Sequence, residues 1–165
     1  MNKKTTSPKV CILMGSGSDH DTMKNARDVL REFGIDCEYR VASAHRAPEL
    51  VTQIATTAAS RGIKVMIAGA GGAAHLPGVV AAQTPLPVIG VPIESKLLGF
   101  DSLLSIAQMP GGIPVAAVAV GSAGAKNAGL LAVQILALSE PELHDKLVAY
   151  RKNQSEKASS VVLPD

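Results

Sequence analysis

The 165-residue chain has no tryptophan and only two tyrosines and two phenylalanines, so aromatic residues make up 2% of it. A core built almost without aromatics is limited in extent and relies on aliphatic and small side chains. Cysteine is nearly as scarce. Cys11 and Cys37 are the two present, and they lack metal-type spacing, which points away from a disulfide scaffold and toward a reduced cytoplasmic protein. Their plain reading is as small core-filling groups. Neither charge sign dominates: 16 basic residues against 14 acidic ones give no polyanion-binding signature, so nucleic acid is not expected as the main partner. No uninterrupted apolar run is long enough to span a bilayer, and no membrane partner is expected. The lysines at positions 3 and 4 are followed by no apolar stretch, so a secretory signal is not expected either.

Apolar residues are plentiful, at 47%, and their order along the chain is informative. Apolar runs at 9–14, 37–42, 64–68, 88–92 and 115–120 read as strands buried on both faces, as in a covered parallel sheet. Segments of helical period fall between and after them, at 21–33, 48–60, 74–83, 102–108, 123–139 and 141–155. Gly34 and Gly62 supply stop signals, and Pro48 opens the second helix. The βαβ succession predicts an α/β three-layer fold with a doubly wound, flavodoxin-like parallel sheet of order 2-1-3-4-5. With no linker in the chain, residues 1–165 are expected to form a single domain with a short N-terminal tail and a C-terminal helical extension.

In such a sheet the ligand crevice lies outside the carboxyl ends of the strands. Three loops of distinctive composition then meet at one end. After the first strand come Gly15, Ser16, Gly17, Ser18 and Asp19; after the second, Ser43, Ala44, His45 and Arg46; after the third, a glycine-rich run from Gly69 to His75. The first loop allows an anion to approach backbone N–H groups, or is simply a tight turn with a helix cap. It is not a dinucleotide fingerprint, since His20 stands where the third glycine belongs, and it lacks the lysine of a nucleoside-triphosphate loop. A smaller phosphorylated ligand fits better. Asp19 then accepts from sugar hydroxyls or merely caps a helix. Arg46 suits charge-assisted phosphate binding, and His45, beside it, is suited to proton transfer. His75 either completes the pocket or bonds at a helix start. The four histidines, His20, His45, His75 and His144, show no metal-ligand spacing, so a metal is not expected.

The strings G-S-G-S-D at 15–19, S-A-H-R-A-P at 43–48, A-G-A-G-G-A-A-H-L-P-G at 68–78, S-L-L-S-I-A-Q-M-P-G-G at 102–112 and A-G-A-K-N-A-G-L-L-A at 123–132 resemble the class I N5-carboxyaminoimidazole ribonucleotide (N5-CAIR) mutases of purine biosynthesis. The resemblance implies an isomerase that moves the carboxyl group of N5-CAIR from nitrogen to ring carbon, giving 4-carboxy-5-aminoimidazole ribonucleotide, with no cofactor. It also implies a homo-octamer and a functional pairing with N5-CAIR synthetase. By the same resemblance His45 is the general acid and base. Ser16, Gly17, Ser18, Asp19, Ser43, Ala44 and Arg46 match the loops around the ribose phosphate, and Ala70, Gly71, Gly72, His75 and Leu76 those around the base and carboxylate. Because carbon dioxide is small and neutral, the site needs closing, and residues 108–112 either form part of a cover or are an ordinary helix-to-strand turn. Two alternatives are a class II aminoimidazole ribonucleotide carboxylase using carbon dioxide, and a noncatalytic nucleotide-binding module. The first typically resembles S-A-H-K and A-G-R-S-N where this chain has Arg46 and the run ending in His75. Independently of the resemblance, the helix at 123–139 is apolar around most of its circumference, with Lys126, Asn127 and Gln134 its main interruptions, which points to a second packed surface and homo-oligomerisation.

Overall fold

The computed structural model describes residues 7–161; the expected N-terminal tail lies largely outside them, as do the last four residues. Five parallel strands form one sheet of order β2-β1-β3-β4-β5: β1 (Val10–Met14), β2 (Cys37–Val41), β3 (Val65–Ala70), β4 (Val88–Pro92) and β5 (Ala116–Ala117). Six helices connect and flank them: α1 (His20–Glu32), α2 (Pro48–Thr57), α3 (His75–Ala81), α4 (Phe100–Ala107), α5 (Gly121–Ala137) and α6 (Pro141–Ser159). The expected architecture and strand order are therefore present.

The strand period of two divides the core. Val10, Ile12 and Met14 of β1, with Val65 and Ile67 of β3, pack on the side of α1, α5 and α6, beside Met23, Leu30 and Val133. Cys11 and Leu13, with Met66 and Ala68, face the opposite layer with Val51, Ile54 and Ile106. Because the central strands are covered twice, they read as unbroken apolar runs. The edges differ from expectation. In β2, Glu38 and Arg40 interrupt the apolar sequence, and Arg40 and Val41 are exposed, since this strand has only one neighbour. β5 is two residues long instead of the expected six; the Val118 N–H still donates to the Gly90 carbonyl at 3.3 Å, after which the chain enters α5 through Gly121, at φ +74°.

Missing side chains set the closest approaches. A β-carbon at Gly129 would stand 2.8 Å from the carbonyl oxygen of Ala26, so the glycine lets α5 lie directly on α1. At Gly124 it would overlap the carbonyl oxygen of Ala119, just after β5. Alanine improves helix propensity by about 1 kcal/mol over glycine, but overpacking against fixed backbone costs roughly 1–3 kcal/mol or more. Gly124→Ala is therefore expected to lower the urea midpoint at unchanged m-value; an unchanged or raised midpoint would show that the α5 entry is not tightly packed.

Candidate active site

β1 lies between β2 and β3, with Met14 in register with Val41 on one side and Gly69 on the other. Their three following loops therefore leave the sheet side by side. In the first, Ser16 caps a single 3-10 turn at Gly17–Asp19: its Oγ accepts from the Ser18 N–H at 3.3 Å, while Asp19 Oδ2 accepts from the Ser16 N–H at 3.1 Å. This reciprocal capping box fixes the loop internally.

In the second loop, Ser43 Oγ accepts from the Arg46 N–H at 3.2 Å and from its Nε at 3.3 Å. The guanidinium then reaches across to loop one, where Nη2 donates to the Gly15 carbonyl at 3.1 Å. Arg46 meets no carboxylate within ion-pair range among the described residues, which leaves its charge available to an anion.

The third loop turns through two left-handed residues, Gly72 at φ +63° and Ala74 at φ +41°. Left-handed backbone at a residue with a side chain costs about 1–2 kcal/mol, and such strain concentrates at functional sites. Here it directs the first residue of α3 back toward loop two. His45 Nε2 and His75 Nδ1 stand 2.7 Å apart, with the rings nearly perpendicular at 83°. At that separation one nitrogen must donate and the other accept. Two lone pairs would repel and two N–H groups would collide, so a single proton occupies the contact.

These loops line a cleft of about 470 Å³. Of the expected site residues, it brings together Ser16, Asp19, Ser43, Ala44, His45, Arg46, Ala70, Gly71, His75 and Leu76. Gly17, Ser18 and Gly72 belong to the same loops but do not line it; Ser18 instead donates its hydroxyl to Ser16 Oγ at 2.9 Å. Gly15, Ala73 and Ala74 line the cleft without having been singled out as site residues, and only their place inside the loops marked them. Residues 108–112 are not on its wall: Met109 packs toward Gly78, one turn beyond His75 in α3. A larger concavity of about 690 Å³ lies between α5 and α6, lined by Leu130, Leu131, Tyr150 and Arg151 among others and by none of the expected site residues. Among the described residues, no group of three His, Cys, Asp or Glu side chains converges as metal ligands, and no helix is long and apolar enough to cross a membrane.

A serine–arginine cradle and an imidazole pair thus stand together at the carboxyl edge of a doubly wound α/β sheet. The chain belongs to the AIR carboxylase family, which matches residues 9–157. It is 60% identical over 147 residues to the N5-carboxyaminoimidazole ribonucleotide mutase of Bacillus subtilis, covering 88% of this chain and 91% of that one. With the mutase of Pyrococcus abyssi it shares 60% identity over 151 residues, covering 91% and 86%. The crystal structure of Treponema denticola PurE superposes with a TM-score of 0.83 at 32% identity, over 92% of this chain and 94% of that one.

Asp19 is the strained charge of the cleft. Burial raises its pKa above the ordinary carboxylate value and outweighs the lowering by Ser18, the Ser16 N–H and Arg46. The folded state thus binds this proton more tightly than the unfolded chain, so Asp19 makes stability fall as pH rises from the ordinary carboxylate range through the raised folded value. Asp19→Asn keeps an acceptor for the Ser16 N–H and removes the charge. Its stability at neutral pH, relative to parent, is expected to be equal or higher, with the advantage disappearing in acid; a loss that grows toward neutral pH would contradict this balance.

Proposed function

We propose that the protein is an N5-CAIR mutase, an isomerase of purine biosynthesis that converts N5-CAIR into 4-carboxy-5-aminoimidazole ribonucleotide in this cleft. The observation that carries the assignment is the His45–His75 contact beside a cradle whose guanidinium has no carboxylate partner among the described residues, in a chain whose relatives bear that activity by name. Arg46, Ser16, Ser18 and Ser43 hold the ribose phosphate, with the backbone of Gly17 and Ala44 completing the loops. Asp19 accepts from ribose hydroxyls. Ala70, Gly71, His75 and Leu76 surround the base and carboxylate, with Gly72 in the turn behind them, and the small Ala70 and Gly71 allow the planar ring to lie close to backbone.

The chemistry needs one proton moved out and one moved back. Protonated His45 donates to the carbamate nitrogen as the N–C bond breaks, releasing carbon dioxide and aminoimidazole ribonucleotide. The ring carbon attacks that carbon dioxide, and neutral His45 removes the ring-carbon proton, which restores aromaticity. Atoms and protons balance, as an isomerisation requires. His75 accepts from or donates to His45 in each state, and general acid–base assistance of this kind contributes about 10²–10⁴-fold. Because carbon dioxide is small and uncharged, no ionic contact retains it, and catalysis depends on holding both fragments at high effective concentration.

Freshly prepared N5-CAIR is expected to isomerise without ATP or added metal, whereas aminoimidazole ribonucleotide with bicarbonate turns over poorly. His45→Asn is expected to lose turnover by at least about 10²-fold while affinity changes less. Efficient use of the bicarbonate pair alone would assign a carboxylase, and near-parental turnover in His45→Asn would remove His45 from the mechanism.

A cytoplasmic homo-octamer working beside N5-CAIR synthetase belongs to the same proposal. Apolar side chains remain uncovered on several faces. Leu97, Leu98, Phe100 and Leu104 are between 55% and 76% exposed, and Leu130, Leu131 and Tyr150 line the groove between α5 and α6. Subunit packing would cover these side chains. Light scattering at several concentrations is expected to give an octamer mass; a stable, fully active monomer would refute assembly, and a smaller oligomer its size.

A further inference from the structure

The capping box of the first loop closes on itself and says nothing about where that loop sits relative to the second. Among the described residues, two sets of side-chain hydrogen bonds reach from residues 15–20 to β2 and the loop after it. One is Arg46 Nη2 to the Gly15 carbonyl. The other is made by Tyr39, in the middle of β2 and in register with Ile12, whose phenol oxygen stands 3.2 Å from His20 Nδ1 and 3.4 Å from the His20 carbonyl oxygen. His20 is the first residue of α1 and directly follows Asp19. The two rings meet edge-on, with centroids 5.8 Å apart.

Tyr39 is also held from further along α1. The guanidinium of Arg27 lies 4.8 Å over its ring, and Arg27 Nε is buried without a hydrogen bond, its nearest carboxylate oxygen, on Asp28, standing 3.5 Å away. The helix therefore grips one phenol ring at two heights: at its first residue through the hydroxyl and two turns on through the ring face. Burial raises the phenol pKa above its ordinary value, so the hydroxyl keeps its proton at neutral pH.

The two ties respond differently to a ligand. Arg46 is the group that must turn toward a bound anion, and its bond to the Gly15 carbonyl is shared or given up when it does. The contact between Tyr39 and His20 involves no group that lines the cleft. We propose that Tyr39 is a positioning residue for the anion cradle: through His20 it fixes the start of α1, and with it Ser16 and Asp19, at a set distance from the strand that carries Ser43 and Arg46. This inference rests on reading the cradle as the phosphate site.

Tyr39→Phe keeps the ring and its Arg27 contact and deletes only the hydroxyl. Inorganic phosphate binding by calorimetry, with steady-state kinetics on N5-CAIR, reads the effect. One hydrogen bond contributes about 1 kcal/mol, so the rise expected in the phosphate dissociation constant and in KM is at most about fivefold, with kcat unchanged and only a small fall in the thermal midpoint. His20→Ala is expected to produce a similar rise, and the double variant no more than either alone. Unchanged phosphate affinity in Tyr39→Phe, or additive losses in the double variant, would overturn the proposal, as would a falling thermal midpoint with KM unaltered. If the parent binds phosphate but does not isomerise N5-CAIR, the activity assignment fails while the phosphate series still decides the role of Tyr39. If the parent binds no phosphate in the cleft, the cradle and this inference both fall.

Discussion

Two imidazoles from strands that do not touch meet across a third, and the site depends on that meeting. Neighbouring strands in a sheet lie about 4.8 Å apart, so the ends of β2 and β3, which flank β1, are separated by roughly twice that. His45 and His75 close the gap to a 2.7 Å contact. The closure requires β1 to be central, all three strands to run the same way, and loop three to turn back sharply at Ala74. Reversing β2 or β3 would carry its loop to the opposite edge and leave an isolated histidine, and reversing β1 would remove the Gly15–Asp19 loop from the cleft.

The fold supports local features that are unfavourable in themselves. A left-handed alanine, a half-buried carboxyl with a raised pKa and an arginine without a carboxylate partner sit within one cleft. What offsets them is a double core of aliphatic side chains, in which Ile12, Leu13, Met66 and Ile67 are fully buried on alternate faces of the central strands. Each such side chain contributes about 1.5–3 kcal/mol of burial. Glycine stands in for the missing aromatics in setting layer spacing: at Gly69 and Gly90 the sheet lets Met23 and Ile106 pack against bare backbone.

Much of this was legible in the sequence because the informative residues are local. Doubly covered strands are continuous apolar runs, and the motifs of the three loops are contiguous. Most candidate site residues consequently fall on the cleft. The edges were harder, since whether an alternating segment such as Cys37–Val41 is covered depends on its neighbours, and the close approach of Gly124 to Ala119 just after β5 joins backbone that no apolar pattern marks. Gly15 enters through a carbonyl, which no side chain announces. The tie from Tyr39 to His20 was invisible for a related reason: it joins residues 19 positions apart, and only the pairing of β2 with β1 and the packing of α1 brings them together.

The claim on which the chemistry rests is that one proton occupies the space between His45 Nε2 and His75 Nδ1. Nitrogen-15 NMR of the imidazole-labelled protein at neutral pH observes it directly. The expected spectrum has one protonated and one unprotonated nitrogen facing each other, with a scalar coupling between them across the hydrogen bond. Two facing nitrogens in the same protonation state, with no coupling, would contradict the imidazole pair as the proton-carrying centre of the site.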